Sequence, residues 1–444
     1  MDVIQSVQEF FTTGALPPNI NSNMLVLIPK ITGALAMGDF RPIALANFQF
    51  KIVTKILADR LSIITMRIIS PEQQGFIRDR NISECIIIAS EAINMIDKRQ
   101  FGGNVALKID IKKAFDTLDW NFLVAVLRKF GFSSVFTDWI LAIFHSAKLS
   151  ILVNGKAVGF ISCSRGVRQG DPLSPLLFCI AEEVLNRAIS MASSAGMIVP
   201  MFYCRGASIP THILYADDVL IFCASTKQNI RCLLKIFNEY SNVSEQIINN
   251  SKSQFYAGAM TSSRSQMLVG MLGFSAGNIP FSCLGCPIFK GKPKGIFFQS
   301  IVDKIKVKFA TWKGTLLSIM GRVQLVKSVI HGMLVYSFHI YMWTSNNWIK
   351  IFIWSGDIYT RKICTVSWKV TCRSWAAGGL DLKPTRIINE SLILHLAWKF
   401  STGDSQWARL LRQRFVKHAT PLQCYFQSSV WGGIKEHLDT ISAN

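Results

Sequence analysis

An α+β fold follows from three features of the sequence: a hairpin over residues 212–222 with acid at its tip, a second acid-bearing strand upstream, and amphipathic helices interleaved with such strands. In the hairpin, Ile213 and Leu214 precede the adjacent carboxylates Asp217 and Asp218, and Val219 to Phe222 follow; both runs have strand length and composition. Upstream, Leu107, Ile109 and Ile111 alternate with Lys108 and Asp110, so Asp110 faces away from the apolar stripe. Neighbouring carboxylates repel each other and gain nothing from burial, so placing them between core strands calls for a counter-charge, most simply a metal ion. Two strands that each bring acid to one sheet edge meet the requirement of two-metal phosphoryl transfer. Taken alone, Asp217-Asp218 also fits a solvated turn.

Composition bounds the partners. The chain has 444 residues, 50% of them hydrophobic, enough for two or three packed units. Its 48 basic against 27 acidic residues give a formal net charge of +21. That charge favours a polyanion, nucleic acid first and an anionic membrane surface second. Mean hydropathy is +0.30, yet apolar stretches such as Val329 to Trp343 fall short of the ~18 residues of a spanning helix and contain His331 and His339. Asp2, Gln5, Gln8 and Glu9 interrupt any apolar leader, so an intracellular protein with reduced cysteines and no membrane partner is expected. Cys283 and Cys286 are closely spaced, but no second pair accompanies them as a zinc site requires.

In chain order, Val3, Val7, Phe10 and Phe11 mark a short helix before Pro17-Pro18. Met24 to Ile28 reads as a strand, and Arg41, preceding Pro42, must be extended. A helix capped near Asn47 carries Ile52, Val53, Ile56, Leu57 and Leu61 on one face. Pro71 to Arg80 reads as a polar connection to a second helix ending about Ile96. Arg41, Arg78 and Arg80 thus sit on loops, where solvated guanidiniums are the default and triphosphate oxygens the functional alternative.

Beyond Asp110, Phe115 precedes a helix from about Trp120 to Phe130 that Gly131 stops. A phenylalanine is usually core, but this ring lies only a turn from the acid, where it would close off space beside a sugar. Residues 149–154 and 157–163 form a hairpin around Asn154-Gly155. Arg165 to Pro175 is a glycine-bearing loop running into a helix that starts at Ser174-Pro175, and it suits a nucleotide or template platform. Asn229 to Tyr240 is helical, and residues 247–253 lead to a short strand; Lys252 is either a surface lysine or a general acid for a pyrophosphate leaving group. Residues 290–295 read as a linker and fail the spacing of a phosphate loop. The helix after it sets Ile301, Ile305, Phe309 and Trp312 apart from Lys304, Lys306, Lys308 and Lys313, a candidate for tracking a nucleic-acid backbone. Leu316 to Tyr341 stays helical, and the tryptophan-rich remainder looks irregular, with its tryptophans read as core.

These pieces resemble the reverse transcriptase of LINE-type, non-long-terminal-repeat retrotransposons, most like the plant copies. The matching segments occur in family order: Leu27-Ile28-Pro29-Lys30, Asp39 to Ile43, Gln73-Gln74-Gly75-Phe76-Ile77, Asp110 through Asp116, Arg168 to Pro175, Tyr215-Ala216-Asp217-Asp218, Ile248-Asn249 with Lys252-Ser253, and Leu284-Gly285. Gly321-Arg322, Val366-Ser367-Trp368, Gly378-Gly379-Leu380 and Ala397-Trp398 extend the likeness to cover roughly residues 20–415. Asp79 and Asp381 stand where the family usually has glycine and Cys283 where it usually has tyrosine; aspartate tolerates positive φ better than most residues.

The resemblance implies a right-hand polymerase: fingers over 1–104, palm over 105–289, a thumb-like helical region over 290–400, and a remnant of the C-terminal connection or zinc-binding region over 401–444. It implies an RNA-directed DNA polymerase that uses an RNA template, a DNA primer and dNTPs. Asp110, Asp217 and Asp218 would hold two Mg²⁺ ions, with Mn²⁺ as a substitute, and Lys252 would assist catalysis. Arg41 and Arg80 would meet the triphosphate, Phe115 would reject a ribose 2′-hydroxyl, Gln169 and Gly170 would meet nucleotide and template, and Leu284 and Gly285 the primer end. A nuclear location, an origin in a longer polyprotein and an endonuclease acting in trans or absent are further expectations. The competing readings are a decayed or co-opted nucleic-acid-binding protein and a maturase-like splicing factor.

Overall fold

The computed structural model describes residues 3–202, 209–312, 314–343, 348–357, 366–417, 420–422 and 427–442. The chain divides into two compact units: Met1–Ile82 with Arg99–Phe202 and Pro210–Gly277, and Ser83–Lys98 with the chain from Asn278 onward.

The first unit opens with helix α1 (Val3–Thr13), strands β1 (Ser22–Pro29) and β2 (Phe40–Leu45), and helix α2 (Phe48–Ile68). Asn47 caps α2 by accepting the Gln49 amide at 3.2 Å, as its position predicts. Arg41 lies within β2, so it sits on a strand and not on a loop. Next come β3 (Asn104–Asp110), the single turn α4 (Ala114–Thr117), α5 (Trp120–Lys129), α6 (Ser134–His145), β4 (Lys148–Val153), β5 (Lys156–Ser162) and α7 (Ser174–Ser194). The unit closes with β6 (His212–Tyr215), β7 (Asp218–Ala224), α8 (Lys227–Ser244), β8 (Gln254–Ala257), α9 (Ser262–Leu272) and β9 (Ser275–Ala276).

Two sheets organise it. One has the order β2-β1-β4-β5, with Asn154 (φ 48°) and Gly155 (φ 78°) turning β4 into β5. The other, β6-β7-β3-β8-β9, places β3 between β7 and β8. Val105, Leu107 and Ile109 of β3 pack with Val219 and Ile221 of β7 against Leu185 and Ile189 of α7 and Ile230, Leu233 and Phe237 of α8. The period of two read from the sequence therefore leaves Lys108 and Asp110 off the packed face. A second core joins Phe50, Leu57 and Leu61 of α2, Leu123 and Leu127 of α5, Ile140 of α6 and Leu177 and Phe178 of α7. Helix α7 starts at Ser174, as the Ser174-Pro175 pair predicts, and Asp171 just upstream accepts the Leu173 amide at 3.1 Å.

The second unit contains α3 (Ile82–Met95), buried at every position from Cys85 on, and the hairpin β10 (Phe281–Cys283) and β11 (Cys286–Ile288). Glu91 of α3 is fully buried, pairs with Arg414 and accepts the Ser428 hydroxyl at 2.6 Å. Helix α10 (Gln299–Thr311) buries Ile301, Ile305 and Phe309 and exposes Lys304 and Lys308, while Lys313 lies outside the described residues. Helices α11 (Ile319–Leu325) and α12 (His331–Phe338) continue through a π-turn over Val326–Ile330. Helices α13 (Trp348–Ser355), α14 (Trp368–Thr371), α15 (Thr385–Thr402), α16 (Gln406–Phe415) and α17 (Trp431–Ser442) follow, so much of the described part of the region read as irregular is helical. Trp407 and Trp431 are core as expected, but Trp375 and Trp398 are more than half exposed, at 56% and 53%. Among the described residues no helix is long and apolar enough to cross a membrane.

Candidate active site

Strand register brings the acids together. Antiparallel pairing sets Asp110 opposite Asp218, and Tyr215 of β6 also pairs with Asp218, so Ala216 and Asp217 form the turn between β6 and β7. Ala216 makes that turn with φ 53°. Burial, then the negative charges of Asp218 and Asp110, push the Asp217 carboxyl up to about 6. Burial also raises Asp218, where Lys108 lowers and Asp110 raises the pKa. The acids thus repel one another at one sheet edge; Lys108 acts against this at Asp218, while at Asp217 the charges of Asp218 and Asp110 add to burial.

Among the described residues no group of three or more His, Cys, Asp or Glu side chains could by itself hold a metal ion. That still suits Mg²⁺, a hard cation commonly bound through one or two carboxylates and completed by water and substrate phosphates. Mutually repelling carboxylate oxygens are the donors such an ion relieves, so the residues present fit it.

The backbone around Asp110 is held from the other side. Its amide donates to the Ser253 hydroxyl at 3.0 Å, and its carbonyl accepts the Asn249 amide at 2.8 Å. Lys252 is exposed in the same turn, its amide on the Asn249 carbonyl at 3.1 Å.

Phe115, in α4, stacks on the buried Phe178 at 4.7 Å between ring centroids, and its carbonyl accepts the Val167 amide at 2.6 Å. Only glycine fits at Gly166, where a Cβ would come within 2.6 Å of the Asp116 carbonyl oxygen. The Gln169 side-chain amide donates to Asp116 at 3.3 Å, and its carbonyl accepts the Ala44 amide of β2 at 2.9 Å. Gly170, with φ 108°, lies against the Ala44 carbonyl. Arg41 is exposed on that same strand. Asp116, Gln169 and Ala44 border an open cavity of about 230 Å³.

Arg80 is placed differently from a free phosphate ligand. Its guanidinium donates to the carbonyls of Ile69 at 2.7 Å, Ser70 at 2.6 Å and Gln73 at 2.5 Å. The middle of the polar connection it holds is buried: Gln73 is 1% and Gln74 5% exposed, and Gln73 bridges to Leu214 of β6. Leu284 (φ 48°) and Gly285 (φ 79°) belong to the second unit, at the tip of the β10–β11 hairpin, where the Tyr336 hydroxyl donates to the Leu284 carbonyl. Cys283 is buried opposite Cys286 on that hairpin. Asp79 and Asp381 both have left-handed backbone, φ 64° and 49°, which explains how aspartate replaces glycine there; Asp381 also pairs with Lys327 at 3.2 Å.

Gln73, Ser253 and Lys30 are contributors that the sequence reading did not single out. Lys30 acts electrostatically on Asp116, whose pKa burial raises. A basic residue closing a short strand was the available signal for Lys30; Gln73 and Ser253 gave none beyond their place in matching segments.

A fold that sets two acid-bearing strands edge to edge beside a glycine-bearing loop defines a nucleotidyl-transfer architecture. The family model described as reverse transcriptase (RNA-dependent DNA polymerase) matches residues 28–288, and the chain belongs to that family, with its α+β right-hand polymerase fold. Among its relatives are a retrovirus-related Pol polyprotein from the type-2 retrotransposable element R2DM of Drosophila melanogaster, 31% identical over 222 residues covering 50% of this chain and 20% of that protein, and one from the type-1 element R2 of Nasonia vitripennis, 29% identical with the same coverage. The transposon TX1 uncharacterized 149 kDa protein of Xenopus laevis is 29% identical over 183 residues, covering 41% of this chain and 14% of that protein. The retrotransposon origin of these relatives agrees with the LINE-type resemblance, and the chain spans a fifth or less of their length.

Proposed function

We propose that this chain is an RNA-directed DNA polymerase that extends a DNA 3′-hydroxyl with dNTPs on an RNA template. The observation that carries the reading is the convergence of Asp110, Asp217 and Asp218 at one sheet edge, in a chain of this family. Asp110 and Asp217 would hold Mg²⁺, with Asp218 supporting. When bound, that cation lowers the pKa of the primer hydroxyl and neutralises charge on the triphosphate and leaving pyrophosphate.

The protein's own groups do the rest. Phe115, its ring fixed on Phe178, would stand beside the sugar and exclude a 2′-hydroxyl. Arg41 would meet triphosphate oxygens, and Lys252 would protonate the departing pyrophosphate. Gln169 and Gly170, docked on β2, would form the floor for nucleotide and template. Arg80 would act indirectly, through the connection it braces. Residues 1–104 would serve as fingers, 105–289 as palm with Leu284 and Gly285 at the primer end, 290–400 as thumb, and 401–444 as the remnant of a C-terminal region. Copying RNA for a retrotransposon would place the work in the nucleus.

The test is primer extension on an RNA template with dNTPs and Mg²⁺. Synthesis that stops on chelation supports the proposal. Tight, salt-dependent RNA binding without synthesis would instead favour a co-opted binding protein.

A further inference from the structure

We propose that Gln73 is a positioning residue for the catalytic turn: its side-chain carbonyl locks the backbone at Ala216 and so fixes where Asp217 points. The inference rests on the reading of Asp217 as a catalytic carboxylate.

The geometry is specific. Gln73 Oε1 accepts the Ala216 amide at 2.9 Å and the Gly75 amide at 2.9 Å. Ala216 has φ 53°, a conformation that alanine rarely adopts unless its surroundings impose it. The opposite end of the same side chain, Nε2, is buried with no hydrogen-bond partner among the described residues, so the acceptor oxygen is the working end. Gly75 completes the lock from beneath: a Cβ there would lie 2.4 Å from the Ala216 nitrogen.

A lock must itself be anchored, and this one is. The Leu214 amide donates to the Glu72 carbonyl and the Gln74 amide to the Leu214 carbonyl, both at 2.8 Å, splicing the segment onto β6. Arg80 grips the carbonyls of Ile69, Ser70 and Gln73. Glu183 of α7 accepts the Ser70 amide at 3.2 Å and the Ser70 hydroxyl. The Cys179 thiol of α7 donates to the Gly75 carbonyl at 3.3 Å. Helix α7 and Arg80 therefore set the height of Gln73, and Gln73 sets the turn. Without the acceptor, the strained Ala216 conformation and two buried amides lose their compensation, and the turn relaxes.

The experiment compares wild type, Gln73→Met, which keeps the shape and removes the acceptor, and Gln73→Glu, which restores one. Hydrogen–deuterium exchange on the full metal-free chain at pH 6 reads the turn; primer extension reads kcat and the dNTP KM. The expected result for Gln73→Met is exchange about tenfold faster or more at residues 214–218, with β3 and β8 unchanged. Its kcat falls at nearly constant KM, and Gln73→Glu recovers the protection. Unchanged exchange at 214–218, faster exchange spread evenly over the sheet, or Gln73→Glu no better protected than Gln73→Met would each overturn the inference. Lack of extension by wild type would count against the polymerase reading alone, because the exchange arm runs without synthesis.

Discussion

Phe115 shows how a side chain of ordinary core type becomes a candidate selector. Its ring rests flat on Phe178, and its carbonyl is tied to Val167, so neither ring nor backbone is free to retreat. Phe115→Ala should therefore raise ribonucleotide use relative to deoxyribonucleotide use by about tenfold or more, the scale on which a packed surface discriminates. Competition assays with matched rNTP and dNTP read the ratio, and an unchanged ratio in an active enzyme removes Phe115 from the role. Glu182 makes a different statement. Burial drives its carboxyl to about 8, where the Tyr240 hydroxyl donates to it at 2.8 Å. Because the folded pKa lies above the unfolded one, the protonated acid favours folding fully below about 4.5, and the benefit fades as pH rises through 8. Thermal melts from pH 6 to 9.5 should show the wild-type midpoint falling above neutrality and a shallower fall for Glu182→Gln; parallel curves would mean that Glu182 does not titrate there.

Among the elements, the connection from Ile69 to Gly75 decides most. Arg80 satisfies carbonyls of that connection, so Arg80→Ala should destabilise the protein by about 1–3 kcal/mol, the cost of leaving buried acceptors without donors. Urea unfolding measures it. A purely phosphate-binding arginine would leave stability untouched and raise only the dNTP KM. The elements that the sequence made legible are those with local signals: the cap at Asn47, the Asn154-Gly155 turn, and the alternation in β3 that isolates Asp110. Polar composition concealed the connection, whose buried glutamines bond through their side chains to backbone groups. Arg80 was legible as a candidate guanidinium; its carbonyl partners, seven to eleven residues upstream, were not.

At the scale of the molecule, two things escaped sequence reading. Helix α3 is buried at every position from Cys85 on, so no stripe marks the face it packs by, and residues 83–98 join the second unit far along the chain. The helices α15, α16 and α17 were lost among aromatic residues, with Trp398 turned to solvent while Trp407 and Trp431 lie inside. Charge was legible from the start. A net +21 should make RNA binding steeply salt-dependent, with affinity falling by about a hundredfold or more between 50 and 200 mM salt. Filter binding over that range reads it; a flat response would mean that the excess charge does not contact phosphates.

In the proposed mechanism, acids far apart in the chain share one catalytic duty at the β3–β7 edge. The most direct measurement is single-turnover primer extension by Asp110→Ala and Asp217→Ala, with RNA affinity determined in parallel. Loss of either carboxylate removes several kcal/mol of charge stabilisation, so each variant should extend about a thousandfold more slowly or worse while binding RNA within about twofold of wild type. Extension near the wild-type rate by either variant would contradict the account.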